Sequence, residues 1–207
     1  MTLPAGIAFD AFGTLFDLEA LRPRLGDDTF ESFASRLVPY TWHLTAAGRF
    51  EPFPDVAEQA LRDAGADPEA AGALTELPPF EDAAPGLSEL ASLGVPLAVL
   101  SNGTSEGIEA LVSHAGLADH FAHLLAADRV ERYKPAPELY ALGPSAFDAA
   151  AADVLLVSGN EWDVAGAHWA GLRTAWVARG RSFSAFAGVE HELAVQDLVE
   201  LARTLQR

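Results

Sequence analysis

Cysteine is absent from this sequence. Disulfides, thiolate metal sites and cysteine nucleophiles are excluded with it. Long apolar runs are missing too: no stretch approaches the ~18 residues of a membrane span. Residues 1–6 carry no basic stretch followed by an apolar run, so they do not read as a secretory signal. The cytoplasm is the default location expected of such a chain. Positive charge is scarce. Thirteen Lys and Arg stand against 30 Asp and Glu, a formal net charge of −17. That opposes nucleic acid and anionic membrane as partners, because both need a positive footprint. A small anionic substrate is compatible only if its site is locally positive. Lysine is scarcest of all: twelve arginines accompany one lysine, Lys134. A compact ammonium on a flexible stem does work that a guanidinium fork cannot.

What is present is ordinary for a globular chain. Of 207 residues, half are apolar and about a fifth charged. The length suits one large domain, or one domain with an insert. Short apolar runs alternate with helical patterns, the signature of a parallel sheet with helices on both faces. Strands are expected at residues 6–10, 96–101, 120–127, 154–157 and 174–178. A helix should follow the second of these, with Ile108, Leu111, Val112 and Ala115 on one face. Roughly eighty residues separate the first two strands, far more than one crossover needs. Residues 17–80 therefore read as a helical insert, a cap over the carboxyl edge of the sheet, with breaks at Gly26, at 48–54 and at 65–68. Residues 1–16 and 81–207 form the α/β core. Pro78-Pro79 and Pro85-Gly86 mark the return to it.

Ligands of open α/β sheets bind beyond the carboxyl ends of the strands. Asp10, Ser101 with Asn102, and residues 158–163 all fall just past strand ends. One carboxylate, several hydroxyls and amides, and the nearby Lys134 converge on one edge. A carboxylate at the end of a buried strand is a candidate nucleophile, its bland alternative being a helix N-cap.

These residues resemble the haloacid dehalogenase superfamily. Asp10-Ala11-Phe12-Gly13-Thr14-Leu15-Phe16-Asp17 is similar to its first motif and Leu100-Ser101-Asn102-Gly103 to its second. Tyr133-Lys134-Pro135 is similar to the third, and Ser158-Gly159-Asn160-Glu161-Trp162-Asp163 to the fourth. The match is nearest to the (S)-2-haloacid dehalogenases, also on Tyr40-Thr41-Trp42 and on residues 112–117. The resemblance implies a doubly wound, Rossmann-like parallel-sheet core with a helical cap after the first strand. It implies hydrolytic dehalogenation of short (S)-2-haloacids through an aspartyl ester on Asp10, with no cofactor and no metal. It also implies the roles of the other residues. Thr14 would orient Asp10, and Lys134 would keep it ionised and supply positive potential. Ser101 and Asn102, with the Ala11–Phe12 segment, would bind the substrate. Tyr140 and Ser158 would fix the lysine and the carboxylate. Asn160 and Asp163 would place and activate the hydrolytic water. Val38, Phe53 and Trp162 would wall the alkyl group. A homodimer is one assembly seen among such enzymes.

Two positions separate dehalogenase from phosphatase. The superfamily's phosphatases carry a general-acid aspartate where Phe12 stands, and a Mg²⁺-binding acid that aligns with Gly159. A halide leaves without a proton, so Phe12 is tolerable for dehalogenation and damaging for phosphate esters. One position breaks the pattern. The family's halide-cradling cap arginine aligns with Ala34. Arg36 lies on nearly the opposite helix face, and Arg49 sits near the next turn. Two alternatives therefore stand beside dehalogenation: a related hydrolase with another substrate, such as a phosphate ester with Mg²⁺, or a non-catalytic member that binds a small anion.

Overall fold

A computed structural model describes residues 2–184, 188–189 and 191–207 of the chain. The apolar runs assemble into a parallel sheet: β1 (Gly6–Phe9), β2 (Leu97–Ser101), β3 (His123–Ala126), β4 (Val154–Ser158), β5 (Arg173–Val177) and β6 (Leu193–Val195). Their order is β3-β2-β1-β4-β5-β6, and every neighbouring pair is parallel. Every residue of β1, β2 and β4 is buried, as strands covered on both faces must be. The direction of winding reverses between β1 and β4. A crevice therefore opens beyond their carboxyl ends, where Asp10 and Ser158–Asn160 lie.

The core helices are numbered after three in the insert. Between β1 and β2 the chain forms α1 (Arg22–Leu25), α2 (Asp27–Ala46) and α3 (Phe53–Asp63), with 3₁₀ turns at Leu18–Leu21 and Pro68–Thr75. In α2 the buried residues Phe30, Phe33, Leu37 and Thr41 recur with helical period. Phe53, Val56, Ala57, Ala60 and Leu61 do the same in α3, and the two helices pack on these faces. The expected breaks fall at the ends of helices. Gly26 (φ 80°) precedes α2 and Gly48 (φ 67°) follows it, both in a left-handed conformation that glycine takes without strain. Leu37 and Val38 of α2 and Phe53 of α3 meet Asp10, Asn102 and Asn160 across one cavity. The insert thus faces the carboxyl ends of the central strands.

In the core follow α4 (Ala83–Ala91), α5 (Ser105–His114), α6 (Pro137–Tyr140), α7 (Leu142–Phe147), α8 (Glu161–Trp169) and α9 (Leu198–Leu205). Three details differ from the sequence pattern. Pro85-Gly86 sits inside α4, in its first turn, where a missing N–H costs little. The third strand is shorter than expected, because Ala118–His120 form a 3₁₀ turn before it. β6 was not expected. It has only three residues, with exposed Ala194 between buried Leu193 and Val195, too few to carry a period. Among the described residues no helix is long and apolar enough to cross a membrane.

α4 and α9 pack closely because Gly86 has no side chain. A Cβ there would lie 2.8 Å from the backbone carbonyl carbon of Leu198. Gly86→Ala should therefore cost about 1–3 kcal/mol through overpacking. Calorimetry should show this as a fall of about 2–4 °C in Tm per kcal/mol, and an unchanged Tm would contradict the close packing.

Candidate active site

β1 delivers Asp10 to the crevice. Its backbone N–H donates to the Val157 carbonyl at 3.0 Å, extending the sheet one residue past the strand. The residue is 5 % exposed, and each carboxylate oxygen is met by donors. Thr14 Oγ1 donates to Oδ2 at 2.9 Å and Asn160 Nδ2 donates to the same oxygen at 2.8 Å. Lys134 Nζ donates to Oδ1 at 3.0 Å. Asn160 is itself fixed by a second bond from Nδ2 to the Phe12 carbonyl at 2.9 Å. Thr14 is fixed through Oγ1, which accepts the Gly159 N–H at 2.9 Å.

Lys134 is fully buried and bridges two acids. Besides Asp10, Nζ donates to Asp163 Oδ2 at 2.9 Å. Tyr140 OH donates to the other Asp163 oxygen at 2.7 Å. The backbone of Lys134 is held by Asn102, whose Oδ1 accepts its N–H at 2.8 Å. That leaves the Asn102 amide nitrogen as the donor it offers to the cavity. Burial pushes the Lys134 ammonium towards neutrality, but the charges of Asp10 and Asp163 push harder, and its pKa lies above the ordinary lysine value. Burial raises Asp163 above the usual carboxylate range, and the charge of Lys134 opposes that. Burial also raises Tyr140 well above its ordinary value, with the Asp163 charge adding to it, so its hydroxyl stays a donor.

A cavity of about 110 Å³ opens over Asp10. Asn102 and Asn160 supply its polar wall, and Phe12, Val38, Phe53 and Trp162 its apolar wall. Phe12 stacks on Phe53, ring centroids 5.4 Å apart at 17°. Trp42 meets Trp162 edge-on at 5.7 Å. Behind the Phe12–Phe53 pair lies a second space of about 270 Å³, reaching α5. A groove of about 570 Å³ runs along α2 and α3; it includes Tyr40 but none of the residues around Asp10.

The expected site residues thus fall into three groups. Asp10, Phe12, Asn102, Asn160, Val38, Phe53 and Trp162 line the cavity. Thr14, Lys134, Asp163 and Tyr140 form the bonded layer beneath Asp10. Ala11, Ser101 and Ser158 are fully buried and do not line it. Ser101 Oγ accepts the Gly103 N–H and Ser158 Oγ accepts the Asn160 N–H, each at 3.1 Å, so both serines act on their own turns rather than on Lys134 or Asp10. The Ala11 and Phe12 N–H groups have no acceptor among the described residues and are free for a ligand. Asp163, expected beside the hydrolytic water, is instead fully buried with both oxygens engaged by Lys134 and Tyr140.

The cap-arginine gap is real in three dimensions. Ala34 packs half-buried against the core, Arg36 donates to the Ser32 carbonyl and hydroxyl at 2.6 Å, and Arg49 is exposed. None of them lines the cavity. Sequence reasoning also missed contacts. Leu18 and Leu37 line the cavity. Tyr133 ties the insert to the third motif, its OH donating to the Glu51 carbonyl at 2.5 Å and its N–H to Thr45 Oγ1 at 3.1 Å. Arg181 Nη2 donates to the Gly159 carbonyl at 2.7 Å. The only signal for the last was an Arg-Gly-Arg run just past the fifth strand of an acidic chain.

A Mg²⁺ ion does not fit these residues. A Cβ at Gly159 would run into the Gly13 carbonyl, so no acid can stand there without moving that loop. The other carboxylate of this cluster among the described residues, Asp163, has both oxygens engaged by Lys134 and Tyr140. No group of three or more His, Asp or Glu side chains among the described residues is arranged to hold a metal.

Comparison with known proteins gives a consistent result. Residues 4–171 match the family model for haloacid dehalogenase-like hydrolase. The (S)-2-haloacid dehalogenase of Pseudomonas sp. (strain YL) is 37 % identical over 191 residues, 84 % of this chain and 82 % of that one. A crystal structure of an L-2-haloacid dehalogenase is similar over the whole of both chains, with TM-score 0.92 and 34 % identity. Another, from Xanthobacter autotrophicus with chloropropionic acid covalently bound, has TM-score 0.90 and 28 % identity over 99 % of each chain.

The buried triad makes two predictions. Lys134→Met leaves two carboxylates without a counter-ion and should cost about 3–5 kcal/mol in urea unfolding. A cost below about 1 kcal/mol would mean that the pair is not buried as described. Because the Lys134 pKa is raised on folding, its contribution is complete below the ordinary lysine value of about 10.4 and is lost as pH rises through the raised value. Stability followed by circular dichroism should show no loss from this group up to about pH 10 and a loss above that in wild type, a loss missing from Lys134→Met.

Proposed function

We propose, from the premise that this chain belongs to the haloacid dehalogenase-like hydrolase family, that it removes halide hydrolytically from short (S)-2-haloacids. Asp10 is the nucleophile. One of its oxygens attacks C2 as the carbon–halogen bond breaks, giving an aspartyl ester and free halide with inversion at C2. Water then attacks the ester carbonyl, returning the Asp10 carboxylate and a 2-hydroxyacid, with one proton of the water released to solvent. Asp10 Oδ2 already accepts two hydrogen bonds and Oδ1 one, which favours Oδ1 as the attacking atom. The free N–H groups of Ala11 and Phe12 and the Asn102 amide suit the substrate carboxylate. Asn160 is the polar group beside Asp10 best placed to hold the hydrolytic water. Asp163 acts one step back, by keeping Lys134 charged and aimed.

The observation that carries this reading is a carboxylate paired at 3.0 Å with one buried ammonium, at the floor of a small cavity with an apolar wall. Such a wall keeps water off the attacking carboxylate. It offers no acid for a poor leaving group, because Phe12 stands where one would be needed. Halide needs none. The reading therefore requires neither cofactor nor metal.

Purified protein incubated with each enantiomer of 2-chloropropionate should release chloride from the (S) form only, at the same rate with EDTA. Asp10→Asn should lower kcat by about a thousandfold or more. Magnesium-dependent turnover of p-nitrophenyl phosphate without chloride release would replace this reading with the phosphatase one. Phe53→Leu removes part of the wall between the two cavities. It should raise kcat/KM for 2-bromohexanoate relative to 2-chloropropionate, and an unchanged ratio would show that Phe53 does not limit chain length.

A further inference from the structure

The insert is joined to the core by two segments, residues 12–17 leaving and 78–82 returning. They run side by side: Asp17 N–H donates to the Pro78 carbonyl at 3.0 Å and Phe80 N–H to the Leu15 carbonyl at 2.9 Å. Arg179, just past β5, reaches both. Its Nη2 donates to the Thr14 carbonyl at 2.8 Å on the outgoing segment, and to the Asp82 carboxylate at 3.0 and 3.1 Å on the returning one. Its guanidinium carbon lies 3.9 Å from the centre of the Phe80 ring. Asp82 is anchored in turn, accepting the Leu198 N–H of α9 at 2.9 Å.

Two features mark this arrangement as more than a chance surface pair. Arg179 holds a left-handed backbone, φ 43°, which is costly for a residue with a Cβ. Its Nε and Nη1 are buried without hydrogen-bond partners, and a buried polar atom left unpaired needs a reason. Position supplies one. Thr14, whose carbonyl Arg179 holds, is the residue whose hydroxyl donates to Asp10 and accepts from Gly159. Arg179 also faces a space of about 380 Å³ that shares Gly13 and Leu18 with the cavity over Asp10.

We propose that Arg179 is a positioning residue for the Asp10 chemistry: it pins the two linking segments to each other and fixes Thr14, and through Thr14 the carboxylate. The catalytic part of this proposal rests on the function proposed above; the pinning does not. Lysine at this position keeps the charge but cannot span Thr14, Asp82 and the Phe80 face at once.

The test compares Arg179→Lys with wild type, and with Arg173→Lys as a control at the other end of β5, where Arg173 pairs with Glu192. In hydrogen exchange, the amides of Asp17 and Phe80 should exchange about tenfold faster in Arg179→Lys alone, with β1 and β4 as protected as in wild type. The kcat for (S)-2-chloropropionate should fall about tenfold or more while KM changes by less than about twofold. Unchanged linker exchange overturns the pinning, as does loosening spread evenly over the sheet. Loosened linkers with wild-type kcat overturn the positioning role. If wild-type protein releases no halide, the function proposed above fails, and linker exchange alone still decides the pinning. Arg179→Met, which also removes the charge, should loosen the same amides at least as much; if it does not fold, Arg179→Lys carries the test.

Discussion

One ammonium between two carboxylates organises this protein. Lys134 is fully buried, and a buried charge persists only when paired and hydrogen-bonded. Its partners come from distant parts of the chain: Asp10 from the end of β1, Asp163 from the first turn of α8. The segment that carries Lys134 is held by Asn102 at the end of β2. Three central strands must therefore end at the right heights for the triad to close. A chain that meets every other need for positive charge with arginine places its single lysine here. A planar fork has five fixed donors to satisfy; an ammonium has three and fits between two single oxygens.

The same triad explains the polarity of the site. The chain carries a large negative charge, and the cluster itself has two carboxylates to one ammonium. Positive charge is present but sealed under Asp10, where Lys134 Nζ donates to one of its carboxylate oxygens. Beside the Asp10 carboxylate, what lines the cavity is neutral: the amide groups of Asn102 and Asn160, aromatic rings and aliphatic side chains. A divalent cation would compete with Lys134 for the same carboxylate, and the contact between Gly159 and the Gly13 carbonyl closes the position from which a further acid could help it.

The sheet and the gathering of polar groups at its edge were legible in the sequence because buried strands announce themselves as apolar runs and polar residues just past their ends share one edge. Asp10, Asn102 and Asn160 stand where that rule put them. The roles of their neighbours were less legible. Successive side chains of a strand point to opposite faces, so Ser101 and Asn102 were poor candidates to face one cavity together, and only Asn102 does. Asp163 is a polar residue one helical turn from the cavity. Nothing in its spacing says whether it meets water or Lys134; the answer depends on Tyr140, twenty-three residues away in sequence. β6 and the Arg179 contacts were invisible for related reasons. The first is too short for a period, and the second joins residues 165 positions apart.

Ala34 bears on how the reaction runs as well as whether it does. In the displacement proposed for Asp10, negative charge moves from the carboxylate onto the departing halogen in the transition state. Fixed donors aimed at that atom are often worth several kcal/mol, and an arginine on α2 would supply them in a cavity that excludes water. In this cavity the proposed halogen would be surrounded by the amides of Asn102 and Asn160 and by aromatic and aliphatic side chains instead. Less of the barrier is then removed by the protein, and more of it depends on the intrinsic stability of the leaving ion. Bromide, the weaker base, should gain over chloride by more than it would beside a guanidinium. The ratio of kcat/KM for (S)-2-bromopropionate to that for the chloro acid should therefore be larger in this protein than in its Ala34→Arg variant. An equal ratio in the two would mean that groups already in the cavity receive the halide as well as an arginine does.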